Sequence, residues 1–167
     1  MTQENSGQRY GTTNPPPIIE TPQVDLHLHT TASDGRLTPK ELVKLLISRG
    51  IMVAAITDHD SMTGISSALA SAQLHPSITI IPGVELSTDI PGSEVHLLGY
   101  FLDHEDTEFD TTLANFRDDR WQRASGIVEK LCELGLPVEW QRVVEIANGA
   151  AIGRPHIAHA MVERGYI

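Results

Sequence analysis

Cysteine is nearly absent. Cys132 is the only one among 167 residues, which excludes a disulfide framework and a thiolate zinc site. Positive charge is also scarce: 12 Lys and Arg stand against 22 Asp and Glu, a net charge of −10. That excludes a broad basic surface for double-stranded DNA or an anionic membrane. An anionic substrate is not excluded, because bound metal ions reverse the local sign of charge. No apolar run is long enough to span a bilayer, and no signal-peptide core stands near the N-terminus; a cytoplasmic location is the expectation. Internal repeats are lacking, as are low-complexity segments beyond Pro22.

What is present is ordinary except in one respect. The apolar fraction of 40% belongs to a folding chain, and the length suits one domain with its own core. The unusual holding is eight histidines. Two of them stand one residue apart in "VDLHLHTTASDG", Val24 to Gly35. Val24, Leu26 and Leu28 alternate with Asp25, His27 and His29, the period of a strand with an apolar face and a ligand-bearing face. A polar inner face is costly in an ordinary core, so this one looks into a site.

Residues 1–22 are polar and end in "NPPPIIETP", which predicts a flexible leader without chemistry. After the first strand and its "SDG" turn, Thr38-Pro39-Lys40-Glu41 opens a helix with a capping box, running to about Arg49 before Gly50. A buried strand follows in "IMVAAIT", a helix over Gly64 to Leu74, a third strand and its exit in "SITIIPGVELS", and a fourth in "EVHLLGYF". Alternating strands and helices predict a parallel α/β sheet or barrel, with the site at the C-terminal strand ends. Asp106 to Leu134 and Pro137 to Asn148 are helical, and "GRPHIAHAMVERG" is a loop and then a helix.

A lone H-x-H is weak evidence. Here it is joined by Asp34, by "TDHD" around His59, by "GVELS" around Glu85, and by His96 and His156. Imidazole and carboxylate together suit zinc, manganese or iron at a hydrolytic centre, and a carboxylate can bridge two ions.

These segments, with "ELVKLLISRGIMVAAITDHDSMTG", "EVHLLGY" and "GRPHIAHAMVERGY", resemble the polymerase and histidinol phosphatase (PHP) family over nearly everything after Pro22. They are most similar to its bacterial phosphoesterases that act on nucleoside 3′,5′-bisphosphates and trim short RNAs from the 5′ end. The resemblance implies a distorted seven-stranded β/α barrel with up to three divalent ions, manganese, zinc or iron, with magnesium also admitted. Residues 23–105 then form the N-terminal part of the barrel, 106–148 a small helical insertion, and 149–167 a return to the barrel. By the same resemblance His27 and His29 hold the first ion and Glu85 bridges the first and second. His96 and His156 complete the second, while Asp34 and His59 hold the third. The implied reaction is attack of a metal-bound hydroxide on a nucleotide phosphate ester, with a small nucleotide or short RNA as partner and no obligate protein partner. A further Asp-x-His pair of the family does not follow His156. The chain therefore looks like the N-terminal portion of a longer member, and alone it is expected to be poorly soluble, to bind metal weakly and to have little activity. Histidinol-phosphate phosphatase activity and a non-catalytic truncated module are the competing readings.

The remaining candidates are weighed one by one. With Glu85, the carboxylates expected to serve the chemistry are Asp58 and Asp60, which flank His59 and can orient an imidazole or hold a water. Asp25 shares the inner face with His27. His96 lies in an apolar run where a hydrogen-bonded core histidine is usual; taken with the set it reads as a ligand. His156, just inside a helix start, has helix capping as its alternative. Arg154 is a candidate phosphate clamp, or the partner of a nearby acid. Arg117, Arg120 and Arg123 recur at helical spacing and form a candidate rim for a second phosphate, or a solvated face paired to Asp118 and Asp119. His159 follows His156 by one turn and is a weaker candidate for the site. His75 and His104 read as surface residues, and Cys132 as a small buried residue of the insertion.

Overall fold

The computed structural model describes residues 23–90 and 93–167; the expected leader lies outside the described residues. Four strands lie in the order β1 (Gln23–Leu28), β2 (Ile51–Ile56), β3 (Thr79–Ile90) and β4 (Ser93–Tyr100). The first three are parallel, joined through α1 (Pro39–Ser48) and α2 (Ile65–Ala72), because a chain that returns to pair in parallel needs a crossover long enough to hold a helix. β4 differs from the parallel expectation. It pairs antiparallel with β3, from Gly83 opposite Tyr100 to Ile90 opposite Ser93, because only two residues separate the strands and no crossover helix fits in them. β3 is also longer than "SITIIPGVELS", running to Ile90.

The sheet curls. Tyr100 on β4 donates a hydrogen bond of 3.0 Å to the Leu26 carbonyl on β1, so the first and last strands approach each other. α1 starts as expected: the Thr38 hydroxyl accepts from the Glu41 N–H, and the Glu41 carboxylate accepts from the Thr38 N–H. Leu42, Val43 and Leu46 of α1 and Ile65 and Ala68 of α2 pack with Ala54, Ile56, Ile80 and Val84 of the sheet. The helices cover β2 and β3. The apolar face read for β1 is only partly covered, and Val24 and Leu26 remain exposed.

The long helix α3 (Thr107–Glu133) starts on Asp106, whose carboxylate accepts from the Glu108 and Phe109 N–H groups. It joins two cores. Leu113 packs into the sheet core, whereas Ala124 and Val128 pack with Val143 and Ala147 of α4 (Trp140–Ala147) and Ile157 and Ala160 of α5 (Arg154–Glu163). Residues 149–167 thus share their core with the helical segment before them. Cys132 is exposed on the last turn of α3, contrary to the buried position expected, because it faces away from that core.

Candidate metal centre

The expected ligands of β1 and β2 arrive at a C-terminal end or in the turn beyond it, whereas those of β3 and β4 stand within their strands, which run on past the site. β1 carries His27 and is followed by His29, and the turn after β2 carries His59. β3 carries Glu85 and β4 carries His96. A short parallel bridge pairs His59 with Glu85 beyond the regular ladder, so the strand register itself sets these two side by side.

The buried Glu85 carboxylate is the hub. One oxygen, Oε2, lies 2.8 Å from His27 Nε2, 2.9 Å from His29 Nε2 and 3.5 Å from His59 Nδ1. The other, Oε1, lies 2.6 Å from His96 Nδ1. Asp34 sits on the far side of His29, 3.1 Å from its Nδ1, and 3.6 Å from His59 Nε2. Three groups result, each with donor atoms within 4.8 Å: His27, His29 and Glu85; His29, Asp34 and His59; His59, Glu85 and His96. Borderline nitrogen and hard oxygen donors without sulfur fit divalent zinc, manganese or iron. His59 Nδ1 is buried without a hydrogen-bond partner, which ordinary folding avoids and an ion would relieve.

The electrostatics suit cations. Burial alone would raise the Asp34 carboxyl, but the hydrogen bond from His29 and the neighbouring imidazoles outweigh it and hold it at about 2. Burial likewise opposes ionisation of Glu85, and the hydrogen bonds from His27 and His96 bring it below its ordinary value. His59 is pushed down to about 4, first by burial and then by the Arg120 guanidinium, so it stays neutral and ready to ligate. For His29, burial is overcome by the bond and charge of Asp34, and its pKa is raised.

Gly35 explains the "SDG" turn. A Cβ there would meet the His29 carbonyl oxygen at 2.4 Å, so only glycine lets the loop fold back and carry Asp34 onto His29. Asp58 anchors the same loop, accepting from the Thr30 N–H at 2.6 Å, the Thr30 hydroxyl at 2.7 Å and the Ser33 hydroxyl at 2.7 Å. Asp60, in the left-handed region at φ 48°, is fully buried. It accepts from the Ser87 N–H at 2.9 Å, the Ser87 hydroxyl at 2.7 Å and Arg120 Nε at 2.5 Å, while its N–H donates to the Glu85 carbonyl at 3.0 Å. Both carboxylates expected beside His59 are therefore engaged with protein groups. Asp25 accepts from the backbone N–H of His27.

The other candidates stand outside the three donor groups. His156 is buried, but its Nδ1 accepts the Gly153 N–H at 3.0 Å as a helix cap, and it joins none of the three groups. Arg120, read as a rim residue, is buried in the ion pair with Asp60. Arg117 donates to the Asp60 carbonyl at 2.8 Å and also reaches Asp110. Arg123 lines a cleft with Ser87, Thr88 and Phe116, and exposed Arg154 begins α5. His159 is exposed, 3.9 Å from Glu163. His75 and His104 join no metal group. The Thr30, Ser33 and Ser87 supports were missed; hydroxyl residues in "HTTAS" and "VELS" carry no marker of a partner dozens of positions away.

A curled α/β sheet with clustered imidazole and carboxylate donors on its strands and the turns after them defines a candidate centre for divalent metal ions. The chain belongs to the PHP domain family, whose model matches residues 25–148. It is 37% identical over 142 residues to the 5′-3′ exoribonuclease Rnm of Salmonella typhimurium, covering 84% of this chain and 48% of the relative. It is 30% identical over 145 residues to the 3′,5′-nucleoside bisphosphate phosphatase of Chromobacterium violaceum, covering 86% and 50%. The chain thus spans about half the length of these curated relatives. Among solved structures it matches an amidohydrolase from C. violaceum with bound sulfate and no metal, at a TM-score of 0.78 and 30% identity over 87% of this chain and 51% of that one.

Proposed function

We propose that this chain carries the metal centre of a phosphoesterase that hydrolyses phosphate esters of nucleotides, either nucleoside 3′,5′-bisphosphates or the 5′ ends of short RNA. The carrying observation is the Glu85 carboxylate with four imidazoles around it. The names of the relatives supply the substrate class. The sulfate held by the C. violaceum neighbour, an oxyanion of phosphate's shape, agrees with it.

In this reading the three donor groups hold up to three ions of manganese, zinc, iron or magnesium. Such ions, when bound, depress the pKa of water towards neutrality and stabilise charge on a phosphoryl group. The chain's own residues prepare for that. Glu85 links neighbouring ligand groups, His59 presents a neutral ring, Asp34 stays ionised, and Asp58 and Asp60 fix the loops that carry them. The same reading places residues 23–105 in the N-terminal part of a seven-stranded barrel, 106–148 in an insertion and 149–167 in the return to the barrel. It sets the protein in the cytoplasm, acting without an obligate protein partner.

The test reconstitutes the chain with Mn²⁺, counts bound metal by elemental analysis and follows phosphate release. The substrates are adenosine 3′,5′-bisphosphate and a 5′-phosphorylated oligoribonucleotide. From the chain alone, slow but metal-dependent release that a chelator abolishes is expected, since it spans about half the length of its relatives. A metal-loaded chain that releases no phosphate from either substrate above the metal-only blank sinks the hydrolytic reading.

A further inference from the structure

A cleft of about 560 Å³ opens beside Asp34. One wall is the loop after β1, with Thr31, Asp34 and Arg36; the other is α4 and α5, with Arg142, Ile146 and His159. Its volume lies within the range of small-ligand sites. The cleft over Ser87 and Arg123 is of similar size, about 650 Å³, but its wall includes no residue of the three metal groups. The Asp34 cleft is therefore the one that continues directly from the centre.

Its cations are not equivalent. The Arg142 guanidinium is taken up by Glu163 at 2.7 Å and Glu145 at 3.0 Å. His159 lies against Glu163. Arg36 is exposed and makes no hydrogen bond or ion pair with the described residues. Arg36 and Asp34 line the same cleft two residues apart, so their Cα atoms are at most about 7 Å from each other. Guanidinium matches a phosphate bidentately. The three arginines first considered for a second phosphate lie elsewhere. Arg120 is buried on Asp60, Arg117 is held by the Asp60 carbonyl, and Arg123 belongs to the other cleft.

We infer that the Asp34 cleft is the subsite for the nucleoside next to the reacting phosphate, and that Arg36 grips a second phosphate one ribose away. The inference rests on the phosphoesterase reading for the position of the first phosphate. The second phosphate is either the terminal group of a nucleoside bisphosphate or the next diester of an RNA strand.

Binding of adenosine 3′,5′-bisphosphate, adenosine 5′-monophosphate and the dinucleotide pApA to the Mn²⁺-loaded chain, measured by calorimetry, tests this. The wild-type chain is expected to bind the bisphosphate at least tenfold more tightly than the monophosphate. Arg36→Gln should remove that difference while leaving monophosphate affinity within twofold, and Arg36→Lys should restore part of it. A loss confined to the bisphosphate assigns Arg36 to a terminal phosphate, and a matching loss for pApA assigns it to a continuing strand. No preference for two phosphates in the wild type, or a preference that survives Arg36→Gln, overturns the inference whether or not either ligand is hydrolysed. Discrimination by Arg36 without phosphate release would instead sink the hydrolytic reading and leave the subsite standing.

Discussion

Glu85 touches four imidazoles through two oxygens, so a single atom change there reaches two of the three donor groups. Glu85→Gln keeps the shape but replaces an anionic oxygen by an amide that cannot bridge cations. We predict that the variant keeps its melting behaviour within about 1 kcal/mol of the metal-free parent and loses most of its bound metal by elemental analysis. Unchanged metal content would refute the bridging role. His29 and His59 divide the protonation of the site. His29 is raised above its ordinary value by Asp34, so its proton is held more tightly than a free imidazole's, whereas His59, pushed down to about 4, is neutral at pH 6.5. An ion needs the neutral ring, so loading competes with the His29 proton. The sign follows: apparent metal affinity rises with pH until the raised His29 value is passed and then levels off. Calorimetry of Mn²⁺ binding at pH 6.5 in buffers of different ionisation enthalpy should show proton release, and buffer-independent heats would contradict the assignment.

At the scale of elements, α3 ties separate parts of the fold together. Arg120 crosses 60 positions of sequence to pair with Asp60, next to the candidate ligand His59, and Asp60 in turn holds Ser87, two residues past Glu85. One guanidinium thereby fixes the helix, the turn after β2 and β3 together. Arg120→Met leaves a buried carboxylate without its cation, a change that costs on the order of 3–5 kcal/mol. Chemical denaturation should show that loss, with part of it recovered in Asp60→Asn/Arg120→Met. A loss below about 0.5 kcal/mol, as for a solvated arginine, would return Arg120 to the helix rim. This tie also marks the limit of what the sequence discloses. The alternation of "VDLHLH" exposes the ligand face of β1, and Thr38 and Glu41 announce α1, because those signals are local. The Asp60–Arg120 pair has no local signature, and the i, i+3 spacing of Arg117, Arg120 and Arg123 describes a helix face without saying what the face meets. His156 illustrates the same gap: its place within "GRPH" fits a ligand and a cap equally, and the structure shows the cap through Nδ1 at Gly153 while setting His156 in the cleft that Asp34 lines.

At the scale of the whole molecule, the sheet is covered unevenly. α1 and α2 cover β2 and β3, but β1 pairs only with β2 and β4 only with β3 among the described residues. Val24 is 52% exposed, Leu26 39%, Met52 49% and Leu97 55%. A free strand edge beside exposed apolar side chains templates pairing with another chain. Against this stands the net charge of −10, which repels like copies at low ionic strength and is screened by salt. The two forces predict a specific pattern: the 167-residue chain stays dispersed at low salt and associates as salt and protein concentration rise. Leu26→Lys places a charge on the β1 edge and should reduce that association in sedimentation velocity, while metal content stays unchanged because Leu26 belongs to none of the donor groups. A chain that sediments as a monomer at high salt, or one whose association Leu26→Lys leaves untouched, would show that the uncovered face of β1 is not the adhesive surface.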